Sequence, residues 1–136
     1  MGPIGWILIG LALLVGVVHV ITNRHPSHLR RRQDTQGEWR AAGCSADAVD
    51  KLLEVACEAF GFSRRMKFKL RPDDTAIGLY RIVYPRTALA DQLEIETFLL
   101  TLDEDLGVQA EGIGPDTSLA EIARRIDTRQ QPASCS

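Results

Sequence analysis

Residues 91–108 have the sequence DQLEIETFLLTLDEDLGV, and this stretch decides the fold prediction. Its apolar residues recur three and four positions apart, the spacing of one face of an α-helix: Ile95, Phe98, Leu99, Leu102 and Leu106. Asp91 can cap the start of this helix with Glu94 three residues on, and Gly107 can close it. The stretch therefore predicts an amphipathic helix, and its six acids and no base make that helix strongly acidic.

Two further helices are predicted on either side of it. Apolar residues follow helical spacing from Val49 to Phe60, with Ser45 or Asp47 as the cap and Gly61 as the end. The run Ser118-Leu-Ala-Glu121 has the pattern of a capping box before a last helix. Between the predicted helices, residues 63–74 are equally consistent with a short extended segment or with a loop. Residues 75–90 are predicted to form a partly buried segment of undetermined type that ends at Pro85. No convincing sheet pattern is present, so we predict an all-α fold with a small helical bundle.

The N-terminal run, residues 3–22, contains no Asp, Glu, Lys or Arg. About 20 apolar residues match the roughly 30 Å hydrocarbon core of a bilayer, so a single transmembrane helix is predicted for residues 1–23. A cleaved signal peptide is less favoured because the run has no basic residue before it and no A-x-A pattern after it. Arginines follow the run, which predicts a cell-membrane protein with its N-terminus outside and the rest cytoplasmic. These arginines are also candidates for contact with lipid headgroups: Arg24, Arg30, Arg31 and Arg32.

The remainder of the chain is divided by composition. Residues 24–43 are polar, contain Pro26, Gly37 and Gly43, and show no periodic apolar stripe, so a basic juxtamembrane linker is predicted there. The helical domain is expected over residues 44–127. Residues 128–136 are expected to form a disordered tail.

Charge and reactive residues exclude several classes of function. The formal net charge is −2, which argues against a nucleic-acid partner. Residues 1–71 nevertheless carry eleven Lys/Arg against six Asp/Glu, whereas residues 72–136 carry five against twelve. The three cysteines lack C-x-x-C spacing, so neither a disulfide framework nor a zinc site is predicted from them. No metal site is predicted at His25 and His28 either, because no further ligand lies nearby. No catalytic motif is present, so we predict no enzyme, no cofactor and no small-molecule substrate.

The order of these motifs resembles an acyl carrier protein over roughly residues 47–127. Residues 91–108 are similar to the family's second helix, residues 70–75 (LRPDDT) to the loop motif after its first helix, and residues 117–126 (TSLAEIARRI) to its final helix. The resemblance implies a serine after Asp91 that would carry the phosphopantetheine arm. Gln92 occupies that position, and a carboxamide has no nucleophilic hydroxyl to accept the arm.

The sequence therefore predicts a membrane-anchored, carrier-like module that is not catalytic and that presents its acidic helix to a protein partner with a basic patch. The predicted partner-binding residues lie along that helix: Asp91, Gln92, Leu93, Glu94, Glu96, Asp103 and Glu104. One alternative is a genuine acyl or peptidyl carrier with an unrecognised attachment site. Another is a structural subunit of a membrane complex. A solvated acidic face without a partner is the competing interpretation of the acids themselves.

Overall fold

The computed structural model describes residues 2–22, 27–84, 93–109 and 111–131, with side chains for all of these except residues 19–22. The described residues form seven α-helices and one 3-10 helix, and they contain no strand. The helices are α1 (Pro3–Thr22), α2 (Ser27–Arg30), α3 (Gln36–Ala41), α4 (Ala46–Phe60), the 3-10 helix (Arg64–Lys69), α5 (Ala76–Val83), α6 (Leu93–Leu106) and α7 (Leu119–Gln130). This architecture is compatible with the predicted helical bundle.

Helix α4 lies at the centre of the bundle and packs against α6, α7 and the 3-10 helix. The Ser45 hydroxyl accepts a hydrogen bond from the Ala48 N–H and so caps its start, as its sequence predicts. Gly61 ends the helix with φ at 69°, a left-handed conformation that disfavours residues with a Cβ. Leu52 and Leu53 are fully buried, and each contributes roughly 1.5–3 kcal/mol by leaving water.

Helix α7 begins at the predicted cap. The Ser118 hydroxyl accepts from the Glu121 N–H, while the Glu121 carboxylate pairs with Arg125 one turn on. The helix continues to Gln130, so residues 128–130, predicted as part of a disordered tail, are helical. Gln131 follows as the C-cap, and residues 132–136 of that predicted tail lie outside the described residues.

Residues 27–43 differ from the predicted linker, because they form α2 and α3 and contribute to the core. Leu29 and Trp39 are buried. The Trp39 indole Nε1 donates to the Leu70 carbonyl at 3.0 Å. The Thr35 hydroxyl lies 2.8 Å from the Phe68 carbonyl and 2.7 Å from the Leu70 carbonyl. These contacts join the segment to the chain around the 3-10 helix, so the packed part of the molecule begins before residue 44.

The segment after α4 is neither extended nor a loop. Residues 64–69 form a 3-10 helix that the Ser63 hydroxyl caps, with Met66 and, just beyond its end, Leu70 buried. Three residues complete a turn of a 3-10 helix. The Lys67 ammonium within it forms an ion pair with Asp50. Helix α5 then occupies the segment whose type the sequence leaves open, and Thr75 caps it.

The prediction of a transmembrane helix is corrected by the structure. Helix α1 is apolar, and most of its large side chains, such as Ile4 and Leu8, are more than half exposed. Across the parts of the chain that the structure describes, however, no helix has both the length and the apolar character needed to cross a membrane. This finding contradicts the predicted anchor, and the single-pass topology and cell-membrane localisation that depend on it are withdrawn.

Candidate interaction surface

The outward face of α6 is apolar at two positions. Leu93 is 58% exposed and Leu100 is 61% exposed. Outside α1, they are the only large apolar side chains that the described residues leave exposed. They lie seven positions apart, about two helical turns, and therefore on the same side of the helix. Single exposed apolar residues are common on protein surfaces, but two that are aligned on one side of a helix form a small apolar patch.

Burial of the opposite face of α6 fixes this orientation. Ile95, Phe98 and Leu102 are almost fully buried, and the Phe98 ring lies 5.7 Å from the ring of Phe60 in α4. The 3.6-residue period then turns the positions between them outward. We define the α6 outer surface as the exposed residues on that side: Leu93, Glu96, Thr97, Leu100, Asp103 and Glu104.

No residue that the structure describes neutralises the charge on the α6 outer surface. Glu96, Asp103 and Glu104 are exposed, and none of them forms an ion pair with any residue that the structure describes. The ion pairs that do form lie on other elements, for example Asp47 with Lys51 on α4 and Glu121 with Arg125 on α7. The leucines are thus flanked by carboxylates whose charge is free to act on a partner.

A shallow cavity of about 230 Å³ continues this surface into the junction of α4 and α6. Glu58 from α4 and Glu104 and Asp105 from α6 line it, with Val55 among its apolar lining. The acidic surface therefore spans two helices, and a basic side chain that enters the cavity would meet carboxylates from both of them.

The N-terminal part of α6 is engaged inside the chain. The Tyr84 hydroxyl donates to the Glu94 carboxylate at 2.5 Å, which ties the end of α5 to the first turn of α6. Asp91 and Gln92, the predicted cap and the residue at the attachment position, lie outside the described residues.

The structure brings together some of the predicted partner-binding residues and separates others. Leu93, Glu96, Asp103 and Glu104 share the α6 outer surface, whereas Glu94 faces Tyr84. Leu100 was not predicted from the sequence. The signal that could have identified it is its position, off the apolar stripe and seven residues after Leu93. Glu58 was also missed, because nothing local relates a residue of α4 to α6.

The predicted headgroup arginines have different surroundings. Arg30 and Arg31 are exposed, and Arg24 lies outside the described residues. The Arg32 guanidinium pairs with Asp74 at 2.6 Å, and both side chains are only 13% exposed. Arg32 therefore has a role within the fold, while Arg30 and Arg31 are available to a ligand.

Neither described cysteine is an activated nucleophile. Burial raises the pKa of the Cys44 thiol above its ordinary value, and it raises the pKa of the Cys57 thiol to about 12. Both groups are therefore thiols at neutral pH, the unreactive form. Within the described ranges, no three His, Cys, Asp or Glu side chains are grouped so that they could hold a metal ion.

Comparisons with known proteins found no match: no family model, no curated protein and no solved structure is similar enough to this chain to place it in a family. The interpretation of the α6 outer surface therefore depends on its own chemistry.

Proposed function

We propose that this domain is a non-catalytic, carrier-like interaction module that presents the α6 outer surface to a protein partner with a basic patch. The observation that carries the proposal is the exposure of Leu93 and Leu100 in the middle of an acidic helix. An apolar pair surrounded by charge has the composition of an interface centre with a polar rim.

The carboxylates supply the second part of the argument. Glu96, Asp103 and Glu104 form no ion pair with a cation among the described residues, so their field extends into solvent. Such a field attracts a basic surface and orients it during approach, which raises the association rate more than the final affinity. Leucine burial then holds the complex together.

The absence of a nucleophile where a carrier needs one supports a role without covalent chemistry. The resemblance implies attachment at position 92, which is a glutamine. Three of the four serines in the described residues, Ser45, Ser63 and Ser118, are engaged as helix caps. Intact-mass measurement after incubation with coenzyme A and a broad phosphopantetheinyl transferase tests this point. A gain of the arm's mass, lost on mutation of a single serine, would overturn the non-carrier assignment.

The experiment that tests the docking surface begins with a photo-crosslinking amino acid at Thr97, in cells. The captured partner is then purified, and its binding to the full chain is measured kinetically. We expect L93A/L100A to weaken binding about tenfold or more, mainly through faster dissociation, because interface leucines contribute after contact. We expect E96K/E104K to slow association, with the difference from the unmodified chain shrinking as salt is added.

The matched control is E38K/E111K, which makes the same total charge change at two exposed positions outside α6. It should leave both rate constants within about twofold of the unmodified chain, since exposed charges outside the interface contribute little to binding. Equal effects of E38K/E111K and E96K/E104K would show that overall charge is responsible. Unchanged binding by L93A/L100A would refute the docking surface.

A further inference from the structure

A second surface cavity, of about 580 Å³, lies where the segment around α2 meets the chain that follows the 3-10 helix. Among the described residues, its lining contains three arginines and a histidine, and no carboxylate. These described lining residues are Ser27, His28, Arg31, Arg32, Gln33 and Arg71. Cations from two distant parts of the chain thus converge on one space.

A hydrogen-bond network holds these two parts of the chain together. The Arg32 guanidinium donates to the Asp74 carboxylate at 2.6 Å and to the Lys69 carbonyl at 3.3 Å. In return, the Lys69 ammonium donates to the Arg32 carbonyl at 2.6 Å. Arg31 adjoins this network on one side and Arg71 on the other, so the network holds the backbone positions of both in place.

The same network leaves the cavity with uncompensated positive charge. Asp74 already accepts from the Arg32 guanidinium and from the Arg71 backbone N–H, the latter at 2.7 Å. The side chains of Arg31 and Arg71 are exposed and form no ion pair with any described residue. Two free guanidinium groups therefore border a cavity whose third arginine has its charge balanced by Asp74.

We propose that this cavity binds a small phosphate-bearing ligand, with the guanidinium groups of Arg31 and Arg71 as its main contacts. Guanidinium groups match the oxygens of a phosphate in pairs, and two of them can balance a doubly charged phosphate group. The Ser27 hydroxyl and the Gln33 amide line the same space and supply further donors. This site is separate from the α6 outer surface and does not depend on the proposed partner.

Calorimetric titration of the full chain with inorganic pyrophosphate tests the proposal. A neutral detergent covers the exposed apolar side chains of α1 without adding charge. We expect saturable binding that R31A/R71A weakens about tenfold or more, because each lost charged contact removes a substantial part of the affinity. R71K should retain part of it. The control R65A removes an exposed arginine that does not line the cavity, and it should bind within about twofold of the unmodified chain.

The source of the phosphate is distinguished by a second titration with monomeric dihexanoyl phosphatidic acid, with dihexanoyl phosphatidylcholine as its control. Binding of pyrophosphate and phosphatidic acid alike identifies the phosphate group as sufficient, and binding of phosphatidic acid alone identifies a lipid headgroup. If the unmodified chain binds neither pyrophosphate nor phosphatidic acid, the proposal is overturned. Equal weakening by R65A and R31A/R71A would also overturn it. Unfolding midpoints without ligand should be unchanged in all variants, since these arginines are exposed.

Discussion

Thr35 is a polar side chain that the fold buries almost completely, at 1% exposure. Its hydroxyl lies within hydrogen-bond distance of the carbonyls of Phe68 and Leu70. Valine has nearly the same shape and no hydroxyl, so Thr35→Val removes the hydroxyl donor from these two buried carbonyls. We expect this change to lower the free energy of unfolding by about 1–3 kcal/mol in urea denaturation.

The matched control is Thr128→Val on α7. Its hydroxyl bonds to the Arg124 carbonyl within the same helix and is exposed to water. That change should stay within about 0.5 kcal/mol of the unmodified protein. Similar losses in both variants would mean that the Thr35 contacts contribute no more than an ordinary surface bond.

Cys57 gives the stability of the fold a dependence on pH. Burial raises the pKa of its thiol from 9.0 to about 12. As pH rises past 9.0, the unfolded chain loses this proton and the folded chain keeps it, so stability falls. The stability of the unmodified protein relative to Cys57→Ala should therefore fall by about 1.2 kcal/mol between about pH 9.5 and about pH 10.5. Urea denaturation at each pH measures this difference, and a constant difference would contradict the expectation.

At the scale of elements, helix caps explain why α4 and α7 could be placed from the sequence. A serine cap and a following apolar stripe are both local signals, and the structure confirms Ser45 and Ser118 in these roles. The 3-10 helix could not be placed in the same way. Met66, Phe68 and Leu70 alternate with basic residues, a pattern typical of a strand, and the turn they adopt depends on contacts with residues 35 and 39.

The Ser118 cap makes a prediction about α7. Ser118→Ala removes the acceptor for the Glu121 N–H and should lower the free energy of unfolding by about 1 kcal/mol. Ser118→Asp retains an oxygen at the cap and places a negative charge at the helix N-terminus, so it should remain close to the unmodified protein. Thermal and urea unfolding followed by circular dichroism compare the two. A loss as large in S118D as in S118A would argue against capping as the cause.

For the whole molecule, the boundary of the packed domain is the feature that the sequence placed incorrectly. Leu29 and Trp39 are isolated apolar residues in a polar stretch, and no periodicity marks them as core. Their burial is decided by partners more than thirty positions away, such as the Leu70 carbonyl that accepts from Trp39. Local patterns could predict the helices of the bundle and the acids of α6, but not this closure of the N-terminal segment on the 3-10 helix.

Truncation tests that boundary. Removal of residues 1–26 keeps Leu29, Thr35 and Trp39 and should leave the urea midpoint nearly unchanged. Removal of residues 1–43 exposes the surface that Leu29 and Trp39 cover, and should cost more than about 3 kcal/mol, since each buried side chain contributes roughly 1.5–3 kcal/mol. Equal stability of the two truncated chains would restore the domain boundary at residue 44.

The bonds from Thr35 and Trp39 to the Leu70 region also determine an order of events during synthesis. A ribosome releases residues 27–43 first, yet their hydrogen-bond acceptors near residue 70 emerge only after α4 has been made. The first part of the domain to leave the ribosome must therefore wait, with Leu29 and Trp39 in water, until later residues arrive. Chaperones that recognise short apolar segments have their opportunity to bind this chain during that interval.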